Sequence, residues 1–166
     1  MLTRVAGIRS LLIAALLLGA TGGQALDCMM PDPAETFRQV SASPDQFVII
    51  LGRFEFDGRL MRGDGEPDGT AIAPIPGRFS GKGLTRDGFT ADMSGPILVQ
   101  QICAGPWCGG APGLSEQTIA FARVMDGSYV VDVGPCGGTF FVGDPVVVAT
   151  LTACIRGEAC QSAPLE

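Results

Sequence analysis

Six cysteines, at 28, 103, 108, 136, 154 and 160, constrain this chain more than any other feature. An even number of cysteines behind an apolar leader reads as a disulfide framework, and such frameworks persist in oxidising compartments. Six cysteines allow 15 connectivities. Spacing favours some of them: Cys103 and Cys108 flank Ala104-Gly105-Pro106-Trp107, and Cys154 and Cys160 flank a stretch with Gly157, so both pairs can close small rings. That leaves Cys28 and Cys136. A bridge there would close about 100 residues, worth about 4 to 5 kcal/mol in the chain-entropy description, whereas small rings mainly fix local shape.

The leader agrees with that compartment. Residues 1–25 form a signal peptide by pattern: Arg4 and Arg9 in a basic region, an apolar core at 11–20, and Gly23-Gln24-Ala25 as a small-x-small cleavage site. The apolar run is too short to cross about 30 Å of hydrocarbon. Asp27 stands where a lipoprotein would carry a small residue before its acceptor Cys28, which argues against lipidation. Residues 26–166 are then one exported domain, periplasmic or secreted, with no later apolar run of transmembrane length. With Arg4 and Arg9 removed, nine of the eleven cations face seventeen acids, a net charge of −8. That balance disfavours a nucleic-acid partner.

The chain contains no histidine, which excludes a Ser-His-Asp triad, a Cys-His dyad and an HExxH zinc site. Other catalytic sets are incomplete. Pro106-Trp107-Cys108-Gly109 has the Trp-Cys-Gly of thioredoxin-like motifs, but Ala111 occupies the position of the second cysteine. Neither close cysteine pair has the CxxC spacing of a zinc site. Glu55 and Asp57 are a conceivable acid and base pair, Ser80 and Lys82 share a strand face without the SxxK spacing, and Gly81-Lys82-Gly83 lacks the third glycine of a dinucleotide loop. Each reads more simply as surface or strand. No cofactor is expected. The one metal candidate is Asp64, Glu66 and Asp68, whose alternating carboxylates followed by Gly69 could wrap Ca²⁺, although Ile75 stands where an EF-hand loop carries its bidentate Glu. Arg62-Gly63-Asp64 is an RGD tripeptide, too short to carry weight.

Trp107, the only tryptophan, lies inside the Cys103 to Cys108 ring and is the ligand-binding candidate. The competing expectation, placed ahead of it, is that the ring folds back to pack on the disulfide or cover the core.

The element pattern is mainly β. Asp32-Pro33-Ala34-Glu35 starts a short helix that Pro44 ends, and residues 47–56 follow as a central strand, apolar on both faces at first. Residues 57–76 read as loop, with structure resuming at Gly77. Residues 78–86 and 89–93 form a hairpin around Asp87-Gly88, Pro96 opens a separate strand at 97–102, and 118–125 pairs with 129–133 across Asp126-Gly127-Ser128. Asp144-Pro145 starts a last helix, with Val147, Leu151, Cys154 and Ile155 at helical spacing and Gly157 as its stop. Five or six strands flanked by short helices describe an OB-like barrel.

At this point the residues resemble a known family. A short helix with Phe37, leading through Ser43 into Phe47-Val48-Ile49-Ile50-Leu51-Gly52-Arg53, is similar to the start of netrin-like domains, the family of the tissue inhibitors of metalloproteases. Pro135-Cys136-Gly137 resembles that family's Cys-Gly motif. The resemblance implies an OB fold, a bridge from Cys28 to Cys136, and a binding or inhibitory role. The inhibitors carry a zinc-clamping Cys as first mature residue and a second Cys two residues on. Here Leu26 and Asp27 precede Cys28 and Met30 holds the second position, which argues against metalloprotease inhibition. The expectation is a non-enzymatic binding or inhibitory module whose partner is another exported or envelope protein, with a thiol-disulfide or carboxylate-based enzyme, or a structural envelope protein, as the alternatives.

Overall fold

A computed structural model describes residues 27–63, 72–110 and 117–161. The proposed leader and the Asp64, Glu66 and Asp68 candidates lie outside the described residues.

Helix α1, Pro33–Ala42, begins as its sequence dictates: the Asp32 carboxylate accepts from the Ala34 and Glu35 amides at 2.8 and 3.0 Å, with Pro33 in the first turn. It ends at Ser43, whose extended backbone is what a residue before proline adopts. Strand β1, Phe47–Phe56, follows. Ile49 and Ile50 point to opposite faces and are both buried, after which exposed Arg53 and Glu55 alternate with buried Phe54.

The other strands are β2 Ile75–Thr85, β3 Gly88–Gln101, a short ribbon of β4 Cys103–Ala104 and β5 Trp107–Cys108, then β6 Thr118–Met125, β7 Ser128–Val133 and β8 Phe140–Val142. The main sheet runs β1-β2-β3-β7-β6-β8, and β1 also pairs with β6. Following the pairings from β1 through β2, β3, β7 and β6 therefore leads back to β1. All are antiparallel except β3 with β7, which is parallel.

Three expectations need correction. Residues 88–101 are one strand, not two divided at Pro96. Up to Pro96, β3 pairs with β2 alone, and it gains β7 only from Ile97, so the proline stands where one side of the strand is still an edge. The first hairpin turns at Arg86-Asp87, and only Gly88, at φ 93°, takes the left-handed conformation expected for the pair Asp87-Gly88. The second hairpin does use positive φ at both turn residues, Asp126 and Gly127. Finally, the 57–76 segment contains a 3-10 turn at Gly58–Leu60, capped by Asp57, and β2 starts at Ile75 rather than Gly77.

Two apolar clusters share the strands. Ile50, Phe54, Phe79, Ile97, Val99, Val131 and Val133 fill one face, where the Phe54 ring stacks on Phe79 at 6.1 Å and meets Phe140 edge-on at 5.6 Å. Ile49, Ile119 and Phe121 of β1 and β6 face the other way, against Phe37 and Val40 of α1 and Val147, Val148 and Leu151 of helix α2, Pro145–Arg156. Asp144 caps α2, and Gly157, at φ 78°, ends it. Both helices thus cover this second cluster, and α2 also reaches β2 and β3 beside their turn, where Leu84 and Phe89 join the cluster and the Arg156 guanidinium donates to the Arg86 carbonyl. Gly52 and Gly81 permit the tight crossing of β1 on β2, since a Cβ on either would come within 2.2 Å of the other strand's carbonyl oxygen.

All six cysteines pair, as 28–136, 103–108 and 154–160, and such a set of staples fits an oxidising compartment. Among the described residues no helix is long and apolar enough to cross a membrane.

Candidate functional site

The pairing directions give the sheet two unlike ends. At one, β2 joins β3 and β6 joins β7 through two-residue turns. At the other, β1, β3 and β7 finish while β2 and β6 begin, so every long connection leaves from there.

Two adjacent glutamines organise this loop end. Gln101 continues the inward-facing row of Ile97 and Val99 and is 2% exposed. Its Oε1 accepts from the Arg62 amide at 2.7 Å, and its Nε2 donates to the carbonyls of Arg62 and Gly109 at 2.8 and 2.7 Å. Each polar atom of the buried amide is therefore used. Gln100 donates to the Ile72 carbonyl at 3.1 Å. Together they pin both stems of the segment that carries Asp64, Glu66 and Asp68, and Gln101 also holds the ribbon of β4 and β5. Gly109 packs so closely on β7 that a Cβ there would sit 2.0 Å from the Val133 carbonyl oxygen.

The ribbon presents Trp107. Cys103 and Cys108 are cross-strand partners as well as a disulfide, and Gly105, at φ 59°, completes the turn. Contrary to the expectation of core packing, Trp107 belongs to neither apolar cluster and is 39% exposed, held on a ribbon of two two-residue strands outside the main sheet. Ile102 and Leu60 are exposed on segments of the same end. The Cys28–Cys136 bridge ties the residues before α1 to the segment after β7, where Gly137 and Gly138 take positive φ and Gly137 leaves room for Pro31.

The catalytic candidates are not assembled. Asp57 caps the 3-10 turn, and the Arg59 guanidinium beside it holds its carboxyl below the usual range, which keeps it ionised rather than proton-donating. Glu55 lies on the outer face of β1, apart from that cap. Ser80 and Lys82 do share the outer face of β2, but Lys82 is paired with Asp92 at 2.5 Å. Gly81-Lys82-Gly83 runs within β2 and leads into a hairpin, not a helix. Among the described residues no cluster of His, Cys, Asp or Glu could hold a metal ion.

The outer face of β1, β2 and β3 carries a different set. Arg53, Glu55, Arg78, Ser80 and Ser94 line a shallow depression of about 400 Å³ to which neither helix contributes a lining residue. The sequence offered Glu55 with Asp57 and Ser80 with Lys82; strand register instead sets Ser80 beside Arg53 and Glu55 beside Arg78. No family model, curated protein or solved structure matches the chain.

Proposed function

We propose that this chain is an exported, non-enzymatic domain, periplasmic or secreted, that binds or inhibits another exported or envelope protein through the loop end. One observation carries the reading: Gln100 and Gln101 gather the stems of the 57–74 connection and the disulfide-closed ribbon around one exposed tryptophan. A buried, fully satisfied amide rigidifies the loops it bonds, and loops held by a rigid scaffold are where binding residues concentrate. Trp107 suits it, since a rigid aromatic on a short ring loses little entropy on docking.

The architecture proposed for the domain is an OB-like barrel of the netrin-like kind. The circuit from β1 through β2, β3, β7 and β6 to β1, with one parallel pairing, supports it. So do a helix before β1 and a bridge from Cys28 to the Cys-Gly motif at Cys136. The three staples and the leader pattern support export.

The test is capture from an extract of the native envelope by immobilised wild-type protein and by a Trp107→Ala variant with the same unfolding midpoint. A species retained by wild type and lost with the variant is expected. Equal retention by the two would remove Trp107, and with it the loop end, from the reading.

A further inference from the structure

The main sheet has an unfinished edge. β3 pairs with β2 from Gly88 to Val99, but β7 joins its other side only from Ile97, so that side is open up to Pro96. Which groups face the opening follows from the pairing beyond it. The Ile102 amide, one residue past β3, donates to the Val133 carbonyl of β7, and backbone groups alternate sides along a strand, so even-numbered residues turn theirs this way. The Ser80 carbonyl oxygen, which crowds Gly52, agrees: even residues of β2 face β1, leaving its odd residues to pair with the odd ones of β3. Asp92 and Ser94 therefore present their N–H and C=O groups to the opening, and no hydrogen bond among the described residues uses them. Pro96, next in the row, has no N–H to leave unpaired.

The inward side of the same stretch borders an apolar groove. Ala91 and Met93 continue the row of Ile97 and Val99, yet Ala91 is exposed and Met93 only half-buried. With Phe37, Val40, Val48 and Leu84 they line a groove of about 330 Å³. Ala91, Met93 and Gly95 put no charge in this row, where a charge would block an added strand. Asp45 is the one charged residue in the lining among the described residues. It lies 3.9 Å from Arg123, which Asp132 holds more closely at 3.0 Å, so the three groups sum to one negative charge.

We propose that the open side of β3 takes an extended peptide as an added strand, with alternate apolar side chains entering the groove and a lysine or arginine meeting Asp45. Free N–H and C=O groups at every second residue match the repeat of another strand, and the groove beside them supplies pockets for its alternate side chains. Asp45 and the net charge of −6 both favour a basic segment. A second copy of the chain would bring the same net charge and only its own Ala91, Met93 and Gly95 to the groove. The site is separate from the loop end and does not depend on it. The regular edge stops at Ala91, where the register with β2 shifts, so a peptide seated on it leaves the Arg86-Asp87 turn uncovered.

The test is a titration of isotope-labelled protein with an acetylated peptide in which threonine and valine alternate over six residues before two lysines. Slowed hydrogen exchange is expected at the Asp92 and Ser94 amides, with a shift of the Met93 methyl resonance. Two further peptides carry N-methyl groups, one on the threonine amides and one on the valine amides. Only one of these sets can face β3, so one peptide is expected to lose binding and the other to keep it. Asp45→Asn is expected to weaken binding about threefold. The proposal is overturned by no binding, by changes confined to other residues, by equal binding of the two methylated peptides, or by a peptide with glutamates for lysines that binds as tightly. Dimerisation of the protein alone that slows exchange at the same two amides would also overturn it, in favour of a second copy.

Discussion

The two ends of the sheet are held by different means. At the turn end, Arg86-Asp87 and Asp126-Gly127 reverse the chain in two residues each, with positive φ supplied by Gly88, Asp126 and Gly127. Local backbone preference suffices there. The loop end uses two disulfides, a buried glutamine bonded to residues 39 and 8 positions away, and a glycine pressed against a neighbouring carbonyl. Order at that end is imposed by tertiary devices, and it is also where Trp107 is exposed. The difference teaches that the chain invests its long-range constraints where its connections are longest.

The largest disturbance should come from the longest of those constraints. Replacing Cys28 and Cys136 together by Ser releases a closure of 108 residues and should cost about 4 to 5 kcal/mol, against about 2 kcal/mol for the Cys103 and Cys108 pair. Denaturant unfolding of both variants would measure the gap, and equal losses would break the contrast. Next comes Gln101→Leu, which leaves the Arg62 amide and the Arg62 and Gly109 carbonyls without their partner, at a cost of about 2 to 3 kcal/mol. Hydrogen exchange should quicken at Arg62 and Gly109 while the 126–127 turn keeps its protection. At the turn end, Gly127→Ala places a side chain at φ 77° and should cost about 1 kcal/mol, leaving loop-end exchange unchanged.

The smallest effect concerns pH. Because Arg59 lowers the Asp57 pKa in the folded protein, the pairing contributes above the carboxyl's ordinary value and is lost as pH falls through the lowered one. Asp57→Asn should therefore flatten the acid limb of stability slightly and leave neutral pH almost unchanged, as expected of an exposed pair. A larger loss in acid than at neutral pH would contradict that assignment.

Much of the frame was legible because its signals are local. Asp32-Pro33 and Asp144-Pro145 announce helices that form where expected, and Gly157 stops the second. Continuous apolar residues mark β1 as buried on both faces, and cysteine spacing matches all three bridges. What was hidden depends on neighbours distant in sequence. Pro96 reads as a strand start because nothing local tells that its second neighbour arrives only at Ile97. Gln101 reads as an ordinary polar strand end, though its place in the alternating row after Ile97 and Val99 was a signal that it points inward. Gly52 and Gly81 read as strand residues, but nothing local tells that they face each other across β1 and β2 so closely that neither can carry a Cβ. The β1–β2–β3 face was invisible for the same reason: Glu55, Arg78, Ser80 and Ser94 become one surface only through register.

The claim that the loop end is the recognising end is open to direct comparison. A photo-crosslinking amino acid would be placed at Trp107 in one variant and at Asp87, on the turn end, in another, and each irradiated in the native envelope. A discrete adduct from position 107 and none from position 87 is the predicted result. Adducts of the same mass from both, or from position 87 alone, would contradict the account.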